Sequence, residues 1–388
     1  MTQRRHPDSP LLTHCPESLP VQAYLDPDWY AREQRTVWAK NWVCAGLLND
    51  IAPRTMRRVQ LGSASAILCR ASDGSLSAFH NSCRHRGAEI CQKDEQPLGK
   101  LITCPYHAWA YEAKDGRLAS VARAHPTADF DMADYALKPL SITVWSGFVF
   151  LNQSLDPRPV APVAGSVSLD NWGLEGLVTG HRKVAEMACN WKVFWENYNE
   201  CLHCPGVHPE LSRLVPLFGQ GIMGDEERSD WSPDQPPTPL LRKGALSWSH
   251  DGALCGPVFP GLSARERELD FAYATVYPTM FVAAHRDYVR SARVEPTGPE
   301  TTRLTVEWHF SRETLDQPGF SAAKAAAFGE QVVAEDHIAV ELNQRGLRSP
   351  SFQRGRLMPE EYAVHDFHLW LLREMEPEGP GLLSKAGV

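Results

Sequence analysis

Two short segments, each with one cysteine and one histidine, decide the fold: NSCRHRGAEI at residues 81–90 and ITCPYHAWAY at residues 102–111. The first contains Cys83-x-His85 and the second contains Cys104-x₂-His107. Two thiolates can bind one iron and two imidazoles the other, so this set suits an asymmetric [2Fe–2S] cluster whose potential is raised by the neutral imidazoles. A structural zinc site is the alternative. Zinc fingers usually pair Cys with Cys and His with His along the chain, so the alternation favours the cluster.

The bulk composition limits the remaining possibilities. The chain has 388 residues, of which 43% are hydrophobic, and this is enough to bury cores in two domains. A formal net charge of −8, without a Lys/Arg-rich run, argues against a nucleic acid partner. We find no signal-peptide or bilayer-spanning pattern, so we expect a cytoplasmic protein that does not enter membranes. The ten cysteines then indicate thiols or metal ligands rather than a disulfide framework.

The apolar pattern predicts an α+β fold in three parts. An N-terminal segment, residues 1–41, contains a helix over residues 25–42 with Asp26 or Asp28 as N-cap. A small antiparallel β domain follows at residues 42–155, and its predicted strands include 65–69, 101–104 and 142–151. The proline-rich stretch that begins at Asp156 opens a second domain at residues 156–388.

The second domain combines strands with one long helix. Residues 271–310 alternate as strands, and an alanine-rich stretch predicts a helix over residues 321–347. Residues 226–261 are rich in Pro, Gly, Ser and charge, which is typical of a long surface loop or lid. The G-x-G-x-x-G at residues 219–224 is followed by an acidic, proline-rich run, so it does not predict a dinucleotide-binding helix.

A second group of potential metal ligands lies in NWKVFWENYNECLHCPGVHPEL, residues 190–211. His203 and His208 would point about 140° apart on an ideal helix. Pro205 and Gly206 lie between them and break the helix, so both imidazoles can reach one ion.

The predicted C-terminal helix supplies a third ligand. Asp336 shares a helix face with Val332, Val333 and Val340. A carboxylate on an apolar face is costly to bury without a partner, so Asp336 is a natural metal ligand, with Glu335 as the fallback. An ion pair of Asp336 on the helix surface is the alternative. Two histidines and one carboxylate form the facial triad of non-haem Fe(II) oxygenases, which leaves positions for O₂ and substrate.

Cys201 and Cys204 form a C-x₂-C around His203, which is also compatible with zinc or redox chemistry. We discount this interpretation because a thiolate on the iron would occupy positions that oxygen chemistry requires.

Together these motifs resemble the Rieske-type non-haem iron oxygenases, specifically the α (oxygenase) subunit of the aromatic ring-hydroxylating dioxygenase superfamily. The match includes the four cluster ligands and the acid-x₂-His-x₄-His motif at Glu200, His203 and His208. It extends to the loop residues Arg84, Arg86, Gly87, Pro105 and Tyr106. The resemblance implies a Rieske domain followed by a catalytic domain of the helix-grip type, in which an antiparallel sheet surrounds a long helix.

The resemblance also implies an electron route and an assembly. In the family, the second cluster histidine, here His107, reaches the iron histidine of a neighbouring subunit, here His203, through an acid at the position of Glu200. This implies a head-to-tail ring, expected to be a homotrimer. NAD(P)H would act only through a separate flavin/iron–sulfur reductase, with or without a ferredoxin.

The substrate is less closely determined. The motifs are most similar to those of α-only enzymes that hydroxylate or demethylate choline, betaines or carnitine. A quaternary ammonium group needs aromatic faces, and the candidates are Trp195, Tyr198, Tyr273, Tyr277, Phe281 and Trp308. Leu202 stands where betaine-type enzymes often have Tyr, so an aromatic or heteroaromatic ring is equally compatible. Arg286 or Arg290 could hold a carboxylate, although arginine is more often simply solvated.

The resulting hypothesis is a terminal oxygenase that uses O₂ and external electrons to hydroxylate or oxidatively demethylate a small organic molecule. Cis-dihydroxylation of an aromatic ring is the alternative. An iron–sulfur electron carrier and a zinc-stabilised binding protein are more distant hypotheses, and the two histidines with Asp336 argue against both.

Overall fold

The structure is a computed structural model that describes residues 6–166, 168–235, 238–269 and 271–376. The outer ends of the predicted N-terminal segment and C-terminal domain, residues 1–5 and 377–388, lie outside these residues. Within the described ranges, every helix is too short or too polar to cross a lipid bilayer.

The N-terminal helical segment is shorter than the sequence predicts. It consists of α1 (Gln22–Leu25) and α2 (Pro27–Glu33), and α2 continues as a π-helical turn over Gln34–Trp38. The predicted N-cap is confirmed, because the Asp26 side chain accepts a hydrogen bond from the Asp28 backbone. The predicted end at residue 42 is wrong, since the helical turn ends at Trp38 and a buried strand begins at Val43.

Antiparallel strands follow, and they form three small sheets. Their bounds are β1 (Val43–Leu47), β2 (Thr55–Leu61), β3 (Ala64–Arg70), β4 (Leu76–His80), β5 (Glu95–Pro97), β6 (Leu101–Thr103), β7 (Trp109–Glu112), β8 (Leu118–Val121), β9 (Ser141–Trp145) and β10 (Phe148–Asn152). The sheet orders are β4-β3-β2-β5, β6-β7-β8 and β1-β10-β9. The run predicted over residues 142–151 is two strands, because Ser146 and Gly147 have positive φ and turn the chain between them.

The second half of the chain is built on one antiparallel sheet of order β11-β13-β14-β15-β16-β12. Its strands are β11 (Ala164–Gly165), β12 (Val178–Met187), β13 (Phe271–Val276), β14 (Met280–His285), β15 (Val289–Gly298) and β16 (Thr301–Phe310). The helices are α3 (Trp191–Tyr198), α4 (Cys204–Val207), α5 (Pro209–Leu214), α6 (Ala264–Leu269), α7 (Arg312–Leu315), α8 (Ala322–Leu347) and α9 (Tyr362–Glu374). The strands predicted over residues 271–310 are confirmed.

The long helix α8 packs closely on this sheet. Its predicted extent is confirmed, and Ser321 caps its N-terminus. Close approach depends on Gly329, where an added Cβ would lie 2.9 Å from the buried ring of Trp308 on β16. A cavity of about 660 Å³ lies between this helix and the sheet, and residues of α3 and α9 complete its wall. This is the α+β arrangement of a long helix held by an antiparallel sheet.

Candidate active site

The two cysteine–histidine loops have matching backbone geometry. In the first, the Gly87 amide donates to the Cys83 carbonyl, and in the second the Ala108 amide donates to the Cys104 carbonyl. The fourth residue after each cysteine has positive φ, 76° at Gly87 and 55° at Ala108. Each loop therefore closes as a tight turn that holds its cysteine at the start.

The cysteines and histidines of these loops differ in burial. Cys83 and Cys104 are buried, with 3% and 2% of their surface exposed, whereas His85 is exposed and His107 is partly exposed. The two imidazole rings lie 4.6 Å apart, and the Tyr111 hydroxyl is 3.1 Å from the Cys83 Sγ. Thiols on the inner side and imidazoles on the outer side fit a cluster with one iron inside and the other at the surface.

His203, His208 and Asp336 come together although Asp336 follows His208 by 128 residues. One ligand atom from each lies within 4.8 Å of the others. His208 Nε2 is 2.9 Å and His203 Nε2 is 3.5 Å from the same Asp336 oxygen. This donor set fits a 2-His-1-carboxylate iron site.

Both histidines have a second carboxylate behind them. His203 Nδ1 bonds Glu200 at 2.5 Å, and His208 Nδ1 bonds Glu335 at 2.8 Å. Such bonds fix the ring orientation, and here each Nε2 faces the same Asp336 oxygen. Glu335, the fallback ligand of the sequence analysis, therefore supports His208 and does not belong to the group of three.

Hydrogen bonds between the histidines and carboxylates of this site shift their pKa values toward the charged forms. Burial alone would lower the pKa of His203, but hydrogen bonds to Asp336 and Glu200 raise it to about 9. Burial would raise the pKa of Asp336, but hydrogen bonds from the two histidines lower it. The carboxylate is thus held ionised, which is the form that binds a metal.

Two features near His203, a contact with Asn197 and a disulfide, were not predicted from the sequence. The Asn197 amide lies 3.0 Å from His203 Nε2, inside the cavity wall. Cys201 and Cys204 are joined to each other as a disulfide, so the expectation that all cysteines are thiols or metal ligands is wrong for this pair. Their spacing on one turn brings their Cα atoms to 5.0 Å, within bonding range.

The aromatic residues singled out from the sequence fall into two groups. Tyr198, Tyr273, Tyr277 and Phe281 line the cavity between the sheet and α8. Trp195 and Trp308 do not, because both are fully buried in the core behind it. Sequence periodicity could not separate the groups, since the direction of each ring depends on the packing of the sheet against helices α3 and α8.

Other cavity residues were missed altogether. Trp248, Phe271, His285 and Trp370 also line the wall. Leu202, the departure from betaine-type sequences, is 41% exposed and lies outside the cavity. That substitution therefore does not remove an aromatic face from the cavity.

Comparison with known proteins places the two regions in described families. Residues 41–133 match the Rieske [2Fe-2S] domain, and residues 174–377 match the catalytic domain of the ring hydroxylating alpha subunit. The glycine betaine monooxygenase oxygenase subunit of Chromohalobacter salexigens is 29% identical, over 94% of this chain and 88% of the relative. The chloroplastic choline monooxygenase of Beta vulgaris is 28% identical, over 91% of this chain and 76% of the relative.

Solved structures show the same fold. The quaternary ammonium Rieske monooxygenase CntA in complex with L-carnitine superposes with a TM-score of 0.69 at 20% identity, over 96% of this chain and all of the other. Naphthalene 1,2-dioxygenase from Rhodococcus sp. superposes with a TM-score of 0.62 at 18% identity, over 94% and 95% of the two chains. Because the catalytic-domain match alone spans just over half of the residues, this chain belongs to the Rieske-type non-haem iron oxygenases, among the ring-hydroxylating α subunits.

Proposed function

We propose that this chain is a terminal oxygenase component that hydroxylates or oxidatively demethylates a small quaternary ammonium compound or an aromatic or heteroaromatic ring. Cys83, His85, Cys104 and His107 would hold the [2Fe–2S] cluster, and His203, His208 and Asp336 would hold Fe(II). Electrons would come from NAD(P)H through a separate flavin/iron–sulfur reductase or a ferredoxin. We expect this chemistry in the cytoplasm.

The convergence of His203, His208 and Asp336 at the wall of an apolar cavity carries the proposal. Their ligand atoms lie within 4.8 Å of one another, and the same three residues line the cavity. A carrier of electrons has no need of a cavity beside a second metal site, and a binding protein has no need of the paired carboxylates behind the histidines.

A bound Fe(II) at such a triad supplies O₂ activation with positions left for substrate. The residues of the chain orient the proposed iron ligands and shield the substrate from water. Glu200 and Glu335 accept hydrogen bonds from Nδ1 of His203 and His208 and so hold each Nε2 toward the cavity. The aromatic wall excludes water from the substrate.

We further propose that Glu200 joins the iron site to the cluster of a neighbouring subunit in a homotrimer. Glu200 is bonded to His203 and also lines the cavity region, whereas His107 lies at the surface of the Rieske domain. A surface histidine is available to a neighbouring copy, and heterologous contacts of this kind close into rings.

We assign the domains as residues 1–41, 42–155 and 156–388. The catalytic-family match at residues 174–377 lies within the third part, and the Rieske match at residues 41–133 lies within the second apart from its first residue. The N-terminal part is tied to the third by buried contacts of Glu33, which pairs with Lys192 at 2.7 Å and accepts a hydrogen bond from Trp191.

The relatives and the cavity both support the substrate classes. The curated relatives are named for glycine betaine and choline. Within this chain, Tyr198 and Phe281 stack at 4.0 Å in the cavity, and such faces bind either a quaternary ammonium group or a planar ring.

The decisive experiment is O₂ consumption by the iron-loaded protein with a surrogate reductase, against betaines, choline and aromatic acids. We expect substrate-dependent O₂ uptake, with oxygen from labelled O₂ in a hydroxylated product or, for demethylation, release of formaldehyde, which carries away the inserted oxygen. One oxygen atom from O₂ in the organic products indicates monooxygenation, and two indicate cis-dihydroxylation. A colourless protein that holds zinc would contradict the proposal.

A further inference from the structure

One arginine in the cavity wall, Arg290, forms no ion pair with any carboxylate of the described residues. Arg290 is on β15, and its guanidinium carbon is 5.9 Å from the centroid of the Phe281 ring. Its Nε is buried and has no hydrogen-bond acceptor among the described residues. The guanidinium also forms no ion pair with a carboxylate of those residues. A guanidinium presents five N–H donors in a planar fork that matches a carboxylate.

On the opposite face of the same sheet, two arginines form ion pairs with a carboxylate. Arg293, three residues further along β15, pairs with Glu307 at 3.4 Å, and Arg182 on β12 pairs with the same carboxylate at 2.7 Å. Because side chains alternate along a strand, Arg293 and Arg290 face opposite sides. The two arginines behind the sheet thus share the carboxylate of Glu307, whereas Arg290 inside the cavity has no carboxylate partner among the described residues.

A second polar group beside Arg290 is also without a partner. His285, on the adjacent strand β14, is 1% exposed, and its Nδ1 has no hydrogen bond within the part of the chain that the structure describes. Burial, and then the charge of Arg290, lower the pKa of His285 well below its usual range. The neutral ring carries one N–H, which is a further donor for an anion.

These donors lie some distance from the iron ligands. Arg290 is paired across the sheet with Trp308, which packs on Gly329 of α8. Gly329 precedes Asp336 by seven residues on that helix, an axial distance of about 10 Å. A small substrate can therefore have one end at the donors and the other near the triad.

We propose that Arg290, with His285 beside it, binds a carboxylate of the substrate and so determines specificity. The substrate class is a molecule with a carboxylate at one end, either a betaine or an aromatic acid, and choline-type cations are disfavoured by the unpaired guanidinium. This inference deepens the proposed function and rests on it.

Binding to the full chain tests the inference without turnover. Calorimetry would compare two matched pairs, glycine betaine with choline and benzoate with benzyl alcohol. We expect the parent protein to prefer the carboxylate in at least one pair. Arg290→Met should weaken binding of that carboxylate about ten- to hundredfold, because a charged hydrogen-bonded pair is lost, and leave its alcohol partner unchanged.

Matched controls separate the local contact from general electrostatics. Lys183→Met removes one exposed positive charge from β12 of the same sheet and should change neither affinity. If circular dichroism shows that Arg290→Met does not fold, Arg290→Gln is measured in its place. The inference is overturned if the parent prefers neither carboxylate, or if the variant weakens both members of a pair equally. A chain that binds carboxylates through Arg290 but consumes no O₂ would refute the proposed function alone.

Discussion

The proposed cluster ligands come from two loops and lie within 24 residues of each other, whereas the proposed iron ligands are two histidines beside α4 and Asp336, which follows His208 by 128 residues. The loop ligands are placed by local turns with matching hydrogen bonds at Cys83 and Cys104. The iron ligands are placed by the packing of α8 on α3, α4 and the sheet. The first site therefore depends on local backbone geometry and the second on the tertiary fold, so each should be breakable without the other.

Removing a ligand at either site gives the largest expected effect. Asp336→Ala should abolish oxygenation and reduce about three irons per chain to about two, because the iron loses its carboxylate while the cluster persists. Cys83→Ser should remove the visible absorption of the cluster and leave about one iron per chain. Metal analysis and absorption spectroscopy measure both. If Asp336→Ala bleaches the cluster, the two sites are not independent.

Substitution of the proposed link between the sites should have the next largest effect. Glu200→Gln removes the charge that holds His203 Nδ1, so we expect both metals to remain and the reductase-driven rate to fall about a hundredfold. Oxygen uptake and iron content provide the measurement. Glu210→Gln is the control, because Glu210 is a half-exposed acid of α5 whose ion-pair partner among the described residues is Arg213. A variant that turns over at the parent rate would rule out the link.

A smaller effect is expected behind His208. Glu335→Gln replaces an ionised acceptor at His208 Nδ1 by a neutral one, which should weaken Fe(II) affinity about tenfold with the cluster unchanged. Competition with a chelator measures this affinity. Glu341→Gln, on the same helix and bonded to His337, is the matched control. Equal affinities of the two variants would mean that Glu335 does not support the metal site.

The smallest effect concerns the loop that borders the cavity. Burial raises the pKa of Glu227 to about 7, and this side chain accepts hydrogen bonds from Met223 and Tyr362. Since the folded form keeps a proton that the unfolded form releases above its ordinary pKa, stability should fall as pH rises from about 4.5 to about 7.

Glu227→Gln should remove that contribution. Between pH 5 and pH 8, the free energy of unfolding of the variant should rise by about 1–2 kcal/mol relative to that of the parent. Denaturant unfolding at each pH measures this difference. Titrations elsewhere cancel in this difference. A constant difference between the two proteins at both pH values would show that Glu227 does not titrate in this range.

Much of the architecture was predictable from local patterns. The strands over residues 271–310 and the helix over residues 321–347 are confirmed, because strand alternation and an alanine-rich run with an N-cap are local signals. The N-terminal helix ended four residues early, and the run over residues 142–151 was split by a turn. Boundaries depend on single backbone angles and capping contacts, which periodicity does not contain.

The sequence by itself identified the proposed ligands: two cysteines and two histidines in two loops, two histidines around a Pro-Gly break, and a carboxylate on an apolar helix face. Only the tertiary structure decided that Glu335 supports His208, that Cys201 and Cys204 are bonded, and that Arg290 faces the cavity while Trp195 and Trp308 do not. The physical reason is the sequence distance between the residues that interact. Ligand type and turn geometry are properties of neighbouring residues, whereas the direction of a side chain depends on the strand register and helix packing of residues far along the chain.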